Sequence, residues 1–203
     1  MKNMLKDAAI LFAITLIAGA VLGFVYDVTK APIAEQEAKA KSEACKEVFA
    51  DAAAFEALES SEEEMTAAAA AGGYDKVSVN EVLTASDVSG AALGYVITVT
   101  SHEGYGGDIQ FSMGVRNDGT LNGISILSIS ETAGLGMRAD EVLKPQFADK
   151  KVSQFICTKS GAVSDDQIDA ISSATITTNA VINAVNAGLY YFQTELEGGN
   201  GNE

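Results

Sequence analysis

The chain is short of the residues that hydrolytic and metal sites need. It has one histidine, His102, and two cysteines, Cys45 and Cys157. A lone histidine with no paired nucleophile motif supports no hydrolase triad, and His102 reads as a loop residue. Cysteines without CxxC spacing argue against a clustered iron–sulfur or zinc site from this chain alone. They could form one disulfide outside the cytoplasm or stay as separate buried thiols. Positive charge is also scarce: 13 Lys+Arg stand against 28 Asp+Glu, for a net charge of -15. Such a surface repels phosphate backbones and argues against nucleic-acid binding. No GxGxxG follows a strand pattern, so a dinucleotide Rossmann site is not supported.

What is present suits one globular domain with appendages. The chain has 203 residues, and a domain of roughly 150 residues hides about 70% of its unfolded surface. Helical and strand patterns both occur, which predicts an α+β fold. From Ala8 to Tyr26 the sequence AAILFAITLIAGAVLGFVY is uncharged. Its length is close to the ~20 residues that a helix needs to cross a ~30 Å hydrocarbon core. Tyr26 stands where an aromatic ring prefers the membrane interface. Ala18-Gly19-Ala20 matches a small-x-small cleavage pattern. The apolar run continues past it, so a retained single-pass anchor over 1–29 is expected. The net-charge difference across the span favours a cytoplasmic N-terminus. That places the soluble domain on the outer, periplasmic side of the plasma (inner) membrane.

After the anchor, Pro32 predicts a break. A helical stretch with apolar Val48, Ala52, Phe55 and Leu58 follows. SSEEEMTAAAAAGG then reads as a connector, so 30–73 is expected to be a helical stalk without a core of its own. The folded domain is expected over 74–197 and a flexible tail over 198–203. Tyr95, Ile97 and Val99 alternate with Val96, Thr98 and Thr100, and Ile109, Phe111, Met113 and Val115 alternate with polar or small residues. Both patterns have the period of a strand with one buried face. Asn117-Asp118-Gly119 predicts a hairpin turn, with Leu121–Ile129 as the returning strand. This makes a twisted antiparallel sheet. Helices are expected around Arg138–Phe147 and at the C-terminus. In the latter, Val181 or Ile182, Val185, Leu189 and Phe192 form an apolar face, and Asn179, Asn183 and Asn186 fall on another.

Three segments have the composition of a ligand site. The first, Asp169-Ala-Ile-Ser172-Ser173-Ala174-Thr175, immediately precedes the last helix. A hydroxyl there caps the helix, a role open to Thr177 or Thr178. The same helix entrance favours a phosphate, through free N–H groups and the macrodipole. The second is Glu131-Thr132-Ala133-Gly134-Leu135-Gly136, whose glycines permit close approach to a flat ligand or simply make a strand-to-helix turn. The third is Gly104-Tyr105-Gly106-Gly107, a hairpin loop or a ligand-contacting loop.

Together these segments resemble the FMN-binding domain family, which includes the G subunit of the Rnf complex and the C subunit of the sodium-pumping NADH:quinone reductase. The family's attachment motif, D-x-x-[ST]-G-A-[ST], is matched by Asp169, Ser172, Ser173, Ala174 and Thr175. The resemblance covers roughly 75–195 and places covalent FMN on Thr175 through a phosphoester. Glu131–Gly136 matches an ETPGLG-like segment, and Gly104–Gly107 matches a GYGG loop. The resemblance implies that the first borders the flavin ring, with the second as a further contact. Two positions depart from the pattern. Ser173 replaces a glycine, so the backbone there is expected to differ, and Ala133 replaces a proline. The short chain looks more like the Rnf G subunit. The resemblance implies electron relay through FMN among the other membrane subunits of an Rnf-type ion-translocating ferredoxin:NAD oxidoreductase. It also implies a separate flavin transferase that uses FAD and magnesium. A C subunit of the sodium pump, and a non-redox anchored module with bare Thr175, are the alternatives.

Overall fold

The structure, a computed structural model, describes residues 2–197, so the expected tail at 198–203 lies outside the described residues. In chain order the elements are α1 (Lys2–Val48), β1 (Ala54–Ala57), α2 (Glu62–Ala71), β2 (Val77–Ser86), β3 (Ala92–Ser101), β4 (Ile109–Arg116) and β5 (Leu121–Ile129). They continue with α3 (Ala139–Val142), β6 (Ile156–Thr158), β7 (Gln167–Asp169) and α4 (Thr175–Tyr191). Short 3₁₀ turns at Gly136–Arg138 and Lys144–Phe147 flank α3, and α4 runs into a π-turn at Phe192–Leu196. The chain divides into two compact units, Met1–Ala40 and Lys41–Glu203.

In the first unit, α1 is apolar all round from Ala8 to Tyr26. Leu11, Phe12, Leu16, Ile17, Leu22 and Phe24 all remain exposed. A helix with no polar face and no protein cover has the surface of a membrane span, and it is the one helix among the described residues long and apolar enough to cross a bilayer. The predicted break at Pro32 does not occur, because Pro32 lies inside α1. Proline removes one N–H and crowds the preceding turn. Its neighbours Ala31, Ala34, Glu35, Gln36 and Ala38 include strong helix formers that carry the helix through.

In the second unit, β1 to β5 form an antiparallel meander in sequential order. Asn117–Gly119 makes the expected turn between β4 and β5, with Gly119 at φ 82°. Residues 30–73, expected as a helical stalk and connector, are divided among the end of α1, β1 and α2. α1 stops at Val48, β1 pairs with β2, and α2 buries Met65 and Ala69 in the main core. Asn122 Nδ2 donates to the Val48 carbonyl at 2.8 Å and ends the helix from 74 residues away. Phe55 and Leu58 consequently fall in and after β1 and not on a helix face. The Ser61–Glu64 capping box starts α2.

The main core lies between one face of the sheet and α2, α3 and α4. It includes Ile97, Val99, Phe111, Met113, Val181, Val185 and Phe192. A second cluster of Cys45, Val48, Phe49, Ala85 and Val96 covers part of the opposite face. β3 is therefore buried on both faces, not one, and Thr98 is buried in a hydrogen bond with Ser112 at 2.9 Å. The helix expected over Arg138–Phe147 is reduced to α3 between 3₁₀ turns, since Pro145 has no N–H to extend it. Cys45 and Cys157 are free, and burial pushes both thiols up from their ordinary range.

Candidate functional site

Three loops meet at the start of α4. The chain leaves β7 at Asp169, turns through Ser172 and Ser173, and enters α4 at Thr175 with Ala174 as the N-cap residue. Ser173 holds φ 63°, in the left-handed region that favours glycine. The backbone expected to shift at this substitution instead takes the conformation that a glycine would. No side chain caps the helix. Thr178, a cap candidate in the sequence, is fully buried. It accepts from the Ile171 N–H at 3.1 Å and donates to the Ala174 carbonyl at 2.9 Å, which locks the turn. Thr177, the other cap candidate, donates to Glu131 Oε2 at 2.8 Å.

Glu131 follows β5 and is 8% exposed. Its Oε1 accepts from the Gly106 N–H at 3.1 Å. Leu135 and Met137 both donate backbone N–H groups to the Thr132 carbonyl, which folds 132–137 into a tight turn with Gly134 at φ 75°. Two glycines pack directly on the Glu131 side chain. A Cβ on Gly136 would lie 2.6 Å from Thr177 Oγ1 and 2.7 Å from Glu131 Oε2, and one on Gly104 would lie 2.8 Å from Glu131 Oε1. Neither position has room for a side chain.

These loops enclose a cavity of about 520 Å³, lined by Tyr105, Glu131, Thr132, Leu135, Gly136 and Ser173 to Thr177. Eight of the sequence-derived candidates are brought together there: Tyr105, Glu131, Thr132, Leu135, Gly136, Ser173, Ala174 and Thr175. Asp169, Ser172, Gly104, Gly106, Gly107 and Gly134 do not line it. Gly104 and Gly106 shape its wall through Glu131. Asp169 is tied instead to Gln146, whose side chain bonds both its N–H and its carbonyl. Two lining residues, Ile176 and Thr177, went unassigned in the sequence as ligand contacts. Only the Thr-x-Thr spacing at the helix start could have signalled Thr177. His102 bridges Ser78 at 3.0 Å and Asp108 at 2.9 Å beside the Gly104–Gly107 loop, outside the cavity.

The geometry suits a phosphorylated, mainly flat and apolar ligand. The volume falls within the range of small-molecule sites. Leu135, Ile176 and the Tyr105 ring supply apolar surface. The first turn of α4 supplies N–H groups without intrahelical partners and the positive end of a dipole. A flavin mononucleotide has both parts, and the residues present fit it.

This site and sheet define a class, the FMN-binding domain, and that family matches residues 104–190. The RnfG N-terminal region matches residues 1–48. The chain is 30% identical over 194 residues to the G subunit of the Na(+)-translocating ferredoxin:NAD(+) oxidoreductase complex of Acetobacterium woodii, covering 95% of this chain and 93% of that protein. It is 31% identical to the G subunit of the ion-translocating oxidoreductase complex of Methanosarcina acetivorans, covering 96% and 97%. A crystal structure of Shewanella oneidensis NqrC aligns over 58% of each chain at 22% identity and a TM-score of 0.47. The chain belongs to the RnfG family, the G subunits of ion-translocating oxidoreductase complexes.

Proposed function

We infer that this chain is a membrane-anchored electron-transfer subunit of an Rnf-type ion-translocating ferredoxin:NAD oxidoreductase, carrying FMN as a phosphoester on Thr175. Family membership supports the complex and the flavin. The observation that carries the attachment site is the sorting of hydroxyls around the start of α4. Thr177 and Thr178 are buried and engaged in internal hydrogen bonds. Ser172 lies off the cavity, and Ser173, which lines it, stands in the turn before the helix and not in its first turn. Thr175 lines the cavity and is half-buried at the first residue of α4, where a phosphate is stabilised by the helix terminus.

FMN supplies one- and two-electron redox chemistry when bound; the chain supplies its place and surroundings. Attachment requires a flavin transferase as partner, with FAD as donor. The Thr175 Oγ–phosphorus bond forms as the FAD pyrophosphate bond breaks, AMP leaves, and the hydroxyl proton passes to solvent. Attachment through the phosphate leaves the ring chemically free. It also keeps the cofactor on the outer face of the plasma membrane, where we place the domain and where no cytoplasmic pool replaces lost flavin. Neighbouring membrane subunits of the complex are the electron partners.

Flavin fluorescence on a denaturing gel, with intact mass of the purified chain, tests this reading. The parent glows and carries the added FMN mass, and T175A is dark. Fluorescence persisting in T175A moves the attachment to Ser173 or Ser172, and a dark parent leaves a non-redox assembly module.

A further inference from the structure

Glu131 is a buried carboxylate with an unusual set of partners. No lysine, arginine or histidine pairs with it among the described residues. Buried charges are normally neutralised by a cation or a metal. Here each oxygen is satisfied by a neutral donor, and the two donors come from separate segments. Oε1 takes the Gly106 N–H of the β3–β4 loop, and Oε2 takes the Thr177 hydroxyl of α4. Gly104 and Gly136 pack directly against its side chain. Two of the segments singled out in the sequence, Gly104–Gly107 and Glu131–Gly136, are thus joined through one side chain to the first turn of α4, which follows the third.

We propose that Glu131 is a positioning residue that locks α4 to the Gly104–Gly107 loop, so that the Thr175 end of the helix and the Tyr105 wall keep a fixed separation across the cavity. Each oxygen of Glu131 accepts one hydrogen bond from the protein, and through these bonds it acts on the cavity by way of Gly106 and Thr177. The purpose of this link rests on the flavin reading, but the link itself does not.

The test uses the full-length chain in detergent, produced without flavin transferase, and reads hydrogen exchange at the Gly106 amide. Thr177 makes no hydrogen bond to the Gly106 loop. T177V, which keeps side-chain volume and removes the hydroxyl, nevertheless raises Gly106 exchange about ten-fold by freeing the carboxylate to move. T177S restores protection. E131Q has one acceptor oxygen for two donors and also raises exchange, and adding T177V to it brings no further increase. Unchanged Gly106 exchange in T177V, or additive effects in the double variant, overturns the proposal. If E131Q fails to fold, the T177V and T177S pair still decides. With transferase co-produced, T177V also slows covalent flavin incorporation while T177S does not. A chain that never takes flavin gives no incorporation rate, but it leaves the exchange result standing.

Discussion

Ser173 occupies a backbone conformation that a side chain disfavours. At φ 63° its Cβ crowds the backbone, and residues outside glycine, asparagine and aspartate visit this region at a cost of about 1 kcal/mol or more. The turn persists because its neighbours hold it: Ala174 N–H donates to the Ile171 carbonyl at 3.0 Å, and buried Thr178 bonds both ends of the same turn. S173G removes the strain while adding freedom to the unfolded chain, so the two effects offset in part. Its stability should rise by up to about 1 kcal/mol. S173V adds a branched side chain at the same φ and should lose about 1–2 kcal/mol. Denaturant unfolding of the two variants checks the order, and S173V matching the parent would refute the strain. The sequence showed that a serine stood where the family has glycine. It did not show that Thr178 binds the turn tightly enough to hold the conformation, because Thr178 and Ile171 meet only in the folded loop.

At the scale of elements, α4 shows what periodicity can and cannot reveal. Its apolar face was readable, and Val181, Val185 and Leu189 are all buried as that face requires. The asparagine face was not. Asn186 is 3% exposed and grips the backbone of Phe155, accepting its N–H at 2.7 Å and donating to its carbonyl at 2.9 Å. Single-sequence patterning counts asparagine as polar and places it outside; only the tertiary partner reveals it as a backbone clamp just before β6. N186L would leave a buried donor and a buried acceptor unpaired, at a cost of about 2–3 kcal/mol. A thermal melt of the full chain should show that loss, and a shift within error of zero would mean that the Phe155 backbone finds other partners. The same limit explains β1 and the end of α1. The alanine-rich run after Val48 has helical composition, and pairing with β2 together with Asn122 capping overrides it. The β3–β5 hairpins were legible because alternation and Asn-Asp-Gly are local signals. The cavity was half legible: its loop compositions were visible, but the carboxylate joining them was not.

For the molecule as a whole, the excess of acid makes pH a probe of how the end of α1 is held in the domain of the second unit. Glu47 and Lys144 meet at 2.6 Å, and Glu47 also accepts from Ser125 at 2.5 Å. Partial burial raises the Glu47 carboxyl, but the hydrogen bonds from Lys144 and Ser125 outweigh that and hold it below its ordinary value. Burial likewise lowers Lys144, and bonds to Glu47 and Asp140 outweigh it to raise the amine. A depressed carboxyl stabilises the fold above its unfolded value, about 4.3, and that contribution disappears as pH falls through the folded value. A raised amine contributes below its unfolded value of about 10.4 and is lost only as pH climbs past it. The pair therefore acts across the neutral range and fails first on acidification. Both side chains keep contact with water, so the effect is screened and should not exceed about 1 kcal/mol. E47Q should be less stable than the parent at pH 7 by up to that amount, and the gap should shrink at an acid pH below about 4.3. Denaturation of parent and variant at both values measures it. A gap that stays constant with pH would assign Glu47 a packing role and remove the ion pair from the account of how the helix end is held.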